Sequence, residues 1–187
     1  MNNTKEDAVS PVIGVMLMLA VTIIIAACVS AFAGGASTQF EETPQTSLLV
    51  YCDGSGDAFS IIFEHHSGAS IQSEKLKIIT WIKAEDNTII KHEQSGISPR
   101  SSSVTPALRI PYVYDAQKGI LPELEFGEAM WKPGFIAGTG NKAATAEFLG
   151  VSEEDLDELI ASDTPVEVTI VYLPNGNTLL KKEFILG

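Results

Sequence analysis

The sequence predicts an α+β protein: one long apolar N-terminal α-helix followed by an antiparallel β-sandwich domain, for which an immunoglobulin-like arrangement is one form. Three observations carry this. Residues 8–39 contain no charged side chain. From residue 47 the apolar residues recur with period two, the mark of half-buried strands. Near the C-terminus two alternating segments flank Asn175-Gly176, a strong hairpin signal.

The helix comes first. Residues 9–33 are interrupted in their apolar character only by Ser10, Pro11, Gly14, Thr22 and Ser30. About 20 such residues cross a bilayer. The β-branched run Val21-Thr22-Ile23-Ile24-Ile25 weakens a helix in water. In lipid a lone segment must satisfy its own backbone polar groups, and only a helix does so. Pro11 suits the first turn, where its missing N–H removes no hydrogen bond. The stretch is too long for a secretory signal, whose apolar part spans about 7–15 residues. Its leader, residues 1–8, holds one lysine against Glu6 and Asp7. Lys5 is the only basic residue before the helix and none follows until Lys75, which places the N-terminus in the cytoplasm and the C-terminal domain outside.

Fourteen large apolar side chains lie between Val9 and Phe32. Exposing each to water costs about 1.5–3 kcal/mol, so the total is on the order of 20–40 kcal/mol, above a domain's net stability of about 5–15 kcal/mol. Outside lipid this helix must pack on copies of itself. Ala26 with Ser30, and Ala27 with Ala31, permit close backbone approach. A permanent membrane anchor shares these features, so anchor and filament core both stand at this point.

Composition narrows the remaining classes. The net charge is −12 and no basic cluster exceeds the pair Lys181-Lys182, so a nucleic-acid phosphate backbone is repelled. Cys28 lies in the apolar run and Cys52 in the polar domain, which makes them poor partners for a disulfide within one subunit; each reads as a small buried hydrophobe.

The segment Asp7-Ala8-Val9-Ser10-Pro11-Val12-Ile13-Gly14-Val15 resembles the N-terminal signature of archaeal type IV pilins. That resemblance covers roughly residues 5–35. It implies a cut by a prepilin-type peptidase between Ala8 and Val9, with Ser10, Pro11, Val12, Ile13 and Gly14 opening the helix that drives assembly. It also implies a homopolymer of identical subunits, an assembly ATPase and a membrane platform. Asp7 stands where the family usually has a basic residue, and Ile13 where bacterial-type pilins carry glutamate; the latter is normal for the archaeal branch. The expected role is a structural subunit of a type IV pilus-like surface filament serving surface adhesion. A low-copy adhesin, a membrane-anchored binding domain and an archaellum subunit are the alternatives.

After the helix (residues 9–38), residues 39–46 read as a linker and 47–187 as the extracellular β-rich domain. Strands are expected at 47–52, at Phe59, Ile61 and Phe63, at Leu76, Ile78, Thr80 and Ile82, at 88–92 and 108–114, and in the hairpin 166–186. Ser152, with Asp155 three residues on, reads as a capping-box variant opening a short amphipathic helix near 152–162.

Three motifs invite chemistry. Gly138-Thr139-Gly140-Asn141-Lys142-Ala143 matches a dinucleotide fingerprint in letters, but Lys132-Pro133-Gly134 before it argues for a glycine-rich loop. Glu64, His65, His66 and His92 hold metal-ligating groups, yet adjacent strand residues point to opposite faces, so they read as surface or strand-end histidines. Glu153, Glu154, Asp157 and Glu158 lack EF-hand spacing and read as a solvated helix face. Catalytic, cofactor and metal residues are each expected to be none.

Overall fold

The computed structural model describes residues 9–35, 41–84, 88–97, 110–115 and 124–187. It divides into two compact units, residues 1–40 and 41–187.

In the first unit, helix α1 (Val9–Gly35) takes in the whole apolar run. The second unit holds ten strands and two helices among the described residues. In order they are β1 (Thr46–Asp53), β2 (Ser60–Gly68), β3 (Ile71–Gln72), β4 (Leu76–Lys83), β5 (Ile89–Ser95), β6 (Tyr112–Asp115), β7 (Met130–Trp131), β8 (Phe135–Gly138), α2 (Lys142–Leu149), α3 (Glu153–Ala161), β9 (Pro165–Tyr172) and β10 (Asn177–Ile185). One sheet runs β1-β2-β8-β6, a second β10-β9-β4-β5, and β3 pairs with β7. Every pairing is antiparallel. The chain is therefore α+β, as its periodicities predict.

Alternation sets the core. Leu76, Ile78, Thr80 and Ile82 of β4 are buried, as are Val166, Val168, Ile170 and Tyr172 of β9. From the other sheet Val50, Ile61, Phe63 and Ala137 enter the same core. Phe63 meets Phe148 of α2 edge to face, with ring centroids 5.7 Å apart, so α2 is pinned to that sheet. Leu156 and Leu159 of α3 are buried as well. The last hairpin closes through residues 173–176, where Gly176 takes φ +73° and its N–H donates to the Tyr172 carbonyl at 2.8 Å.

The stretch just before β1 is held to the domain. Asn175 Nδ2 donates to the Glu41 carbonyl (2.8 Å) and to Thr43 Oγ1 (2.6 Å), and Asn177 Nδ2 donates to Thr43 Oγ1 (2.6 Å). Lys75 pairs with the Glu41 carboxylate, which holds Glu41 below its ordinary value and Lys75 above its own. Thus part of the segment read as a linker is fastened to the β9–β10 turn.

Candidate functional site

The exposed helix is the feature of this chain that most needs a partner. Every described side chain from residue 12 to 31 is exposed, including Met16, Met18, Leu19 and Ile24. Thr22 returns its hydroxyl to the Leu19 carbonyl at 2.9 Å, so its polar group is satisfied inside the helix. A helix apolar on all sides is stable only when surrounded, by lipid or by other protein. Val12–Ala31 is long and apolar enough to cross a membrane. Val9, Ser10, Pro11, Val12, Ile13 and Gly14 form its first turns. A Cβ added at Gly14 would meet no atom within 4 Å, so that position is an open notch on the helix surface.

Residues 7–48 match the archaeal type IV pilin N-terminal family. That family comprises structural subunits, and the match supports a pilin-like subunit here. An uncharacterized protein of Archaeoglobus fulgidus is 36% identical over 84 residues, a stretch covering 45% of this chain and 59% of that protein. The pilin segment thus takes in all of α1 and runs into the start of β1.

The other candidates are not gathered into one site. The Gly138–Ala143 stretch is not the plain loop expected of it: it carries the end of β8 into α2. Asn141 caps α2, its side chain accepting from the Ala144 N–H at 2.8 Å, and Gly150 ends it at φ +75°. Thr139 Oγ1 accepts from the Ile61 N–H (3.0 Å) and meets Thr145 Oγ1 at 2.5 Å, while Thr145 also reaches the Phe59 carbonyl (3.3 Å). These residues tie α2 to the buried side of β2. A dinucleotide site needs a parallel βαβ unit, whereas β8 lies antiparallel between β2 and β6.

The histidines occupy three separate environments. His65 is buried, contrary to its reading as a surface or strand-end residue. Its Nδ1–H donates to the Trp131 carbonyl at 3.2 Å and its ring meets the indole edge to face. Burial holds His65 below the ordinary imidazole value. His66 is exposed, and His92 on β5 donates from Nδ1 to the Phe148 carbonyl at 2.8 Å. Among the described residues no three His, Cys, Asp or Glu side chains converge as metal ligands.

The acidic helix forms as its capping signal requires: Ser152 Oγ accepts from the Asp155 N–H at 3.1 Å, and the Asp155 carboxylate accepts from the Ser152 N–H at 3.3 Å. Asp157 pairs with Lys142 at 2.6 Å.

Cys52 on β1 is partly buried, and burial pushes its thiol up to about 12. The thiolate is the reactive form, so little of it is present at neutral or mildly alkaline pH. In the folded protein, iodoacetamide should leave Cys52 unmodified at pH 8 and label it fully in denaturant. Peptide mass spectrometry reads the two cysteines separately. Labelling of Cys52 at equal rates in both states would contradict its burial.

Proposed function

We infer that the chain is the structural subunit of an archaeal type IV pilus-like surface filament, polymerising through α1 and displaying its β domain for surface adhesion. The carrying observation is a helix apolar on every face, opened by Ser10-Pro11-Val12-Ile13-Gly14 inside the pilin match. A prepilin-type peptidase removes residues 1–8 between Ala8 and Val9. The helix then lies in the cytoplasmic membrane with the domain outside, until an assembly ATPase and membrane platform move it into the polymer. The domain is read as an immunoglobulin-like sandwich. Supporting that reading, the orders β1-β2-β8-β6 and β10-β9-β4-β5 follow the A-B-E-D and G-F-C sheets, with one strand added beside C.

The test is electron microscopy and mass spectrometry of filaments sheared from cells. Filaments dominated by this chain, with Val9 as N-terminus, are the expected result. A subunit that begins at Met1, or one that stays entirely in the membrane fraction, would favour the anchored alternative.

Gly14 supplies a sharper variant. In a membrane-embedded helix a glycine notch lets a second backbone approach closely. The Cβ that Gly14→Leu introduces meets no atom within 4 Å, so the added side chain starts from open space. The membrane pool of subunit should therefore stay at its wild-type level, while sheared filaments fall by about tenfold, the effect of roughly 1.4 kcal/mol per contact. Undiminished filaments would show that nothing packs against Gly14.

A further inference from the structure

We propose that the outer face of β4 and β5 around Trp81 is a subunit contact that receives the acidic helix α3 of a second copy of this chain. The inference rests on the filament reading above and names a surface for it. Register places Lys83 opposite Ile89, Trp81 opposite Lys91, Ile79 opposite Glu93 and Lys77 opposite Ser95. All eight lie on the face turned away from the core, since Ile78, Thr80 and Ile82 point inward. At its centre Trp81 is 39% exposed, and Ile89 at its end is 63% exposed. An exposed tryptophan ringed by charged side chains is the anatomy of an interface anchor.

Charge selects the partner. Lys77 and Lys91 share the single carboxylate of Glu93, and the Lys91 ammonium also sits 5.0 Å from the centre of the Trp81 ring. Lys83 forms no ion pair among the described residues. On β4 and β5 three lysines stand against one glutamate, a net charge of +2 in a chain of net −12, and Glu167, which lies beside Trp81 on β9, is paired with Lys181. Copies of so acidic a chain repel one another over most of their surface, and a locally basic patch relieves that repulsion. Helix α3 supplies the complement. It carries five carboxylates between Glu153 and Glu158 and no basic residue. Asp155 is engaged by its cap and Asp157 by Lys142, whereas Glu153, Glu154 and Glu158 are exposed and form no ion pair among the described residues. A basic patch meeting an acidic helix is a contact between two different surfaces. Such a contact can repeat from subunit to subunit without closing, as a filament requires.

Charge exchange in the full chain tests the pairing. Lys83→Glu with Lys91→Glu should cut sheared filaments about tenfold, as should Glu154→Lys with Glu158→Lys, the scale of a 1.4 kcal/mol loss. All four together should restore them. Equal membrane pools of subunit serve as the control for folding and insertion. As a direct reading, a benzophenone side chain placed at position 81 should cross-link, within intact filaments, to peptides containing residues 153–158. Cross-links to another surface, or unaffected filaments in both pairwise variants, overturn the proposal while leaving the filament reading standing. A wild-type chain that forms no filaments overturns both.

Discussion

A chain beginning at Glu41 is expected to be a soluble, folded monomer that forms no filaments. The two parts of this result have separate causes. Residues 41–187 form a compact unit with its own core, drawn from both sheets and both short helices. Their number lies within the ordinary range of independent domains. Their acidity opposes self-association. The fourteen large apolar side chains that compel burial all lie upstream, so removing them removes the drive to polymerise. The contact proposed around Trp81 is ionic at its rim and small, and does not replace that drive.

The starting residue matters. Glu41 and Thr43 accept three hydrogen bonds from Asn175 and Asn177, and Glu41 pairs with Lys75. A chain starting at Thr46 loses all of these and leaves the β9–β10 turn without its fastening, so it should melt below the longer one. Circular dichroism, size-exclusion chromatography and electron microscopy decide the matter. An unfolded 41–187 would mean that the core needs α1 or a neighbouring subunit. Filaments from it would mean that α1 is not the driver of assembly.

How much of this was legible depends on the range of the signal. Helix α1 announces itself because the absence of charge from 8 to 39 is a property of one continuous stretch. The faces of β4 and β9 could be read because alternation is local, and α3 because Ser152 and Asp155 are three residues apart. Helix α2 was missed although its signals were present: Asn141 and Gly150 bracket eight residues at the positions of an N-cap and a C-cap. Lys132-Pro133-Gly134, upstream of the glycine-rich stretch, points to a loop instead. Strands β3 and β7 have two residues each, too short for any period to show. His65 looked polar and exposed, yet its burial depends on Trp131, 66 residues away. The charge balance around Trp81 was hidden in the same way, because Lys91 and Glu93 join Lys77 and Lys83 only once β5 lies beside β4.

A large effect of a single substitution in the β domain is expected at a serine to which sequence reading assigned no role. Ser73 is fully buried just before β4. Its Oγ donates to the Ala129 carbonyl at 2.8 Å and accepts from the N–H groups of Gly127 (2.8 Å) and Ala129 (3.1 Å), while its own N–H also donates to the Ala129 carbonyl at 2.9 Å. One hydroxyl thus fastens the 127–131 segment, and with it the buried Trp131, to the start of β4. Ser73→Ala preserves the space but leaves two N–H groups without this acceptor, at about 1–3 kcal/mol each. The expected loss is therefore about 2–6 kcal/mol, a large share of a domain's stability of about 5–15 kcal/mol. Gly96 reports on the same junction by a different mechanism. A Cβ there would lie 2.0 Å from the Ser73 carbonyl oxygen and 2.7 Å from the Glu74 Cα, both backbone atoms that cannot rotate away. Gly96→Ala must push the end of β5 off residues 73–74, and should cost about 1–3 kcal/mol or more through overpacking. At roughly 2–4 °C per kcal/mol for a domain of this size, Ser73→Ala should lower the melting temperature by on the order of 10 °C. Thr178→Ala, on an exposed strand position, should stay within about 0.5 kcal/mol of wild type. Thermal unfolding of the 41–187 domain measures all three, and a Ser73→Ala midpoint equal to that of Thr178→Ala would show that the hydroxyl fastens nothing.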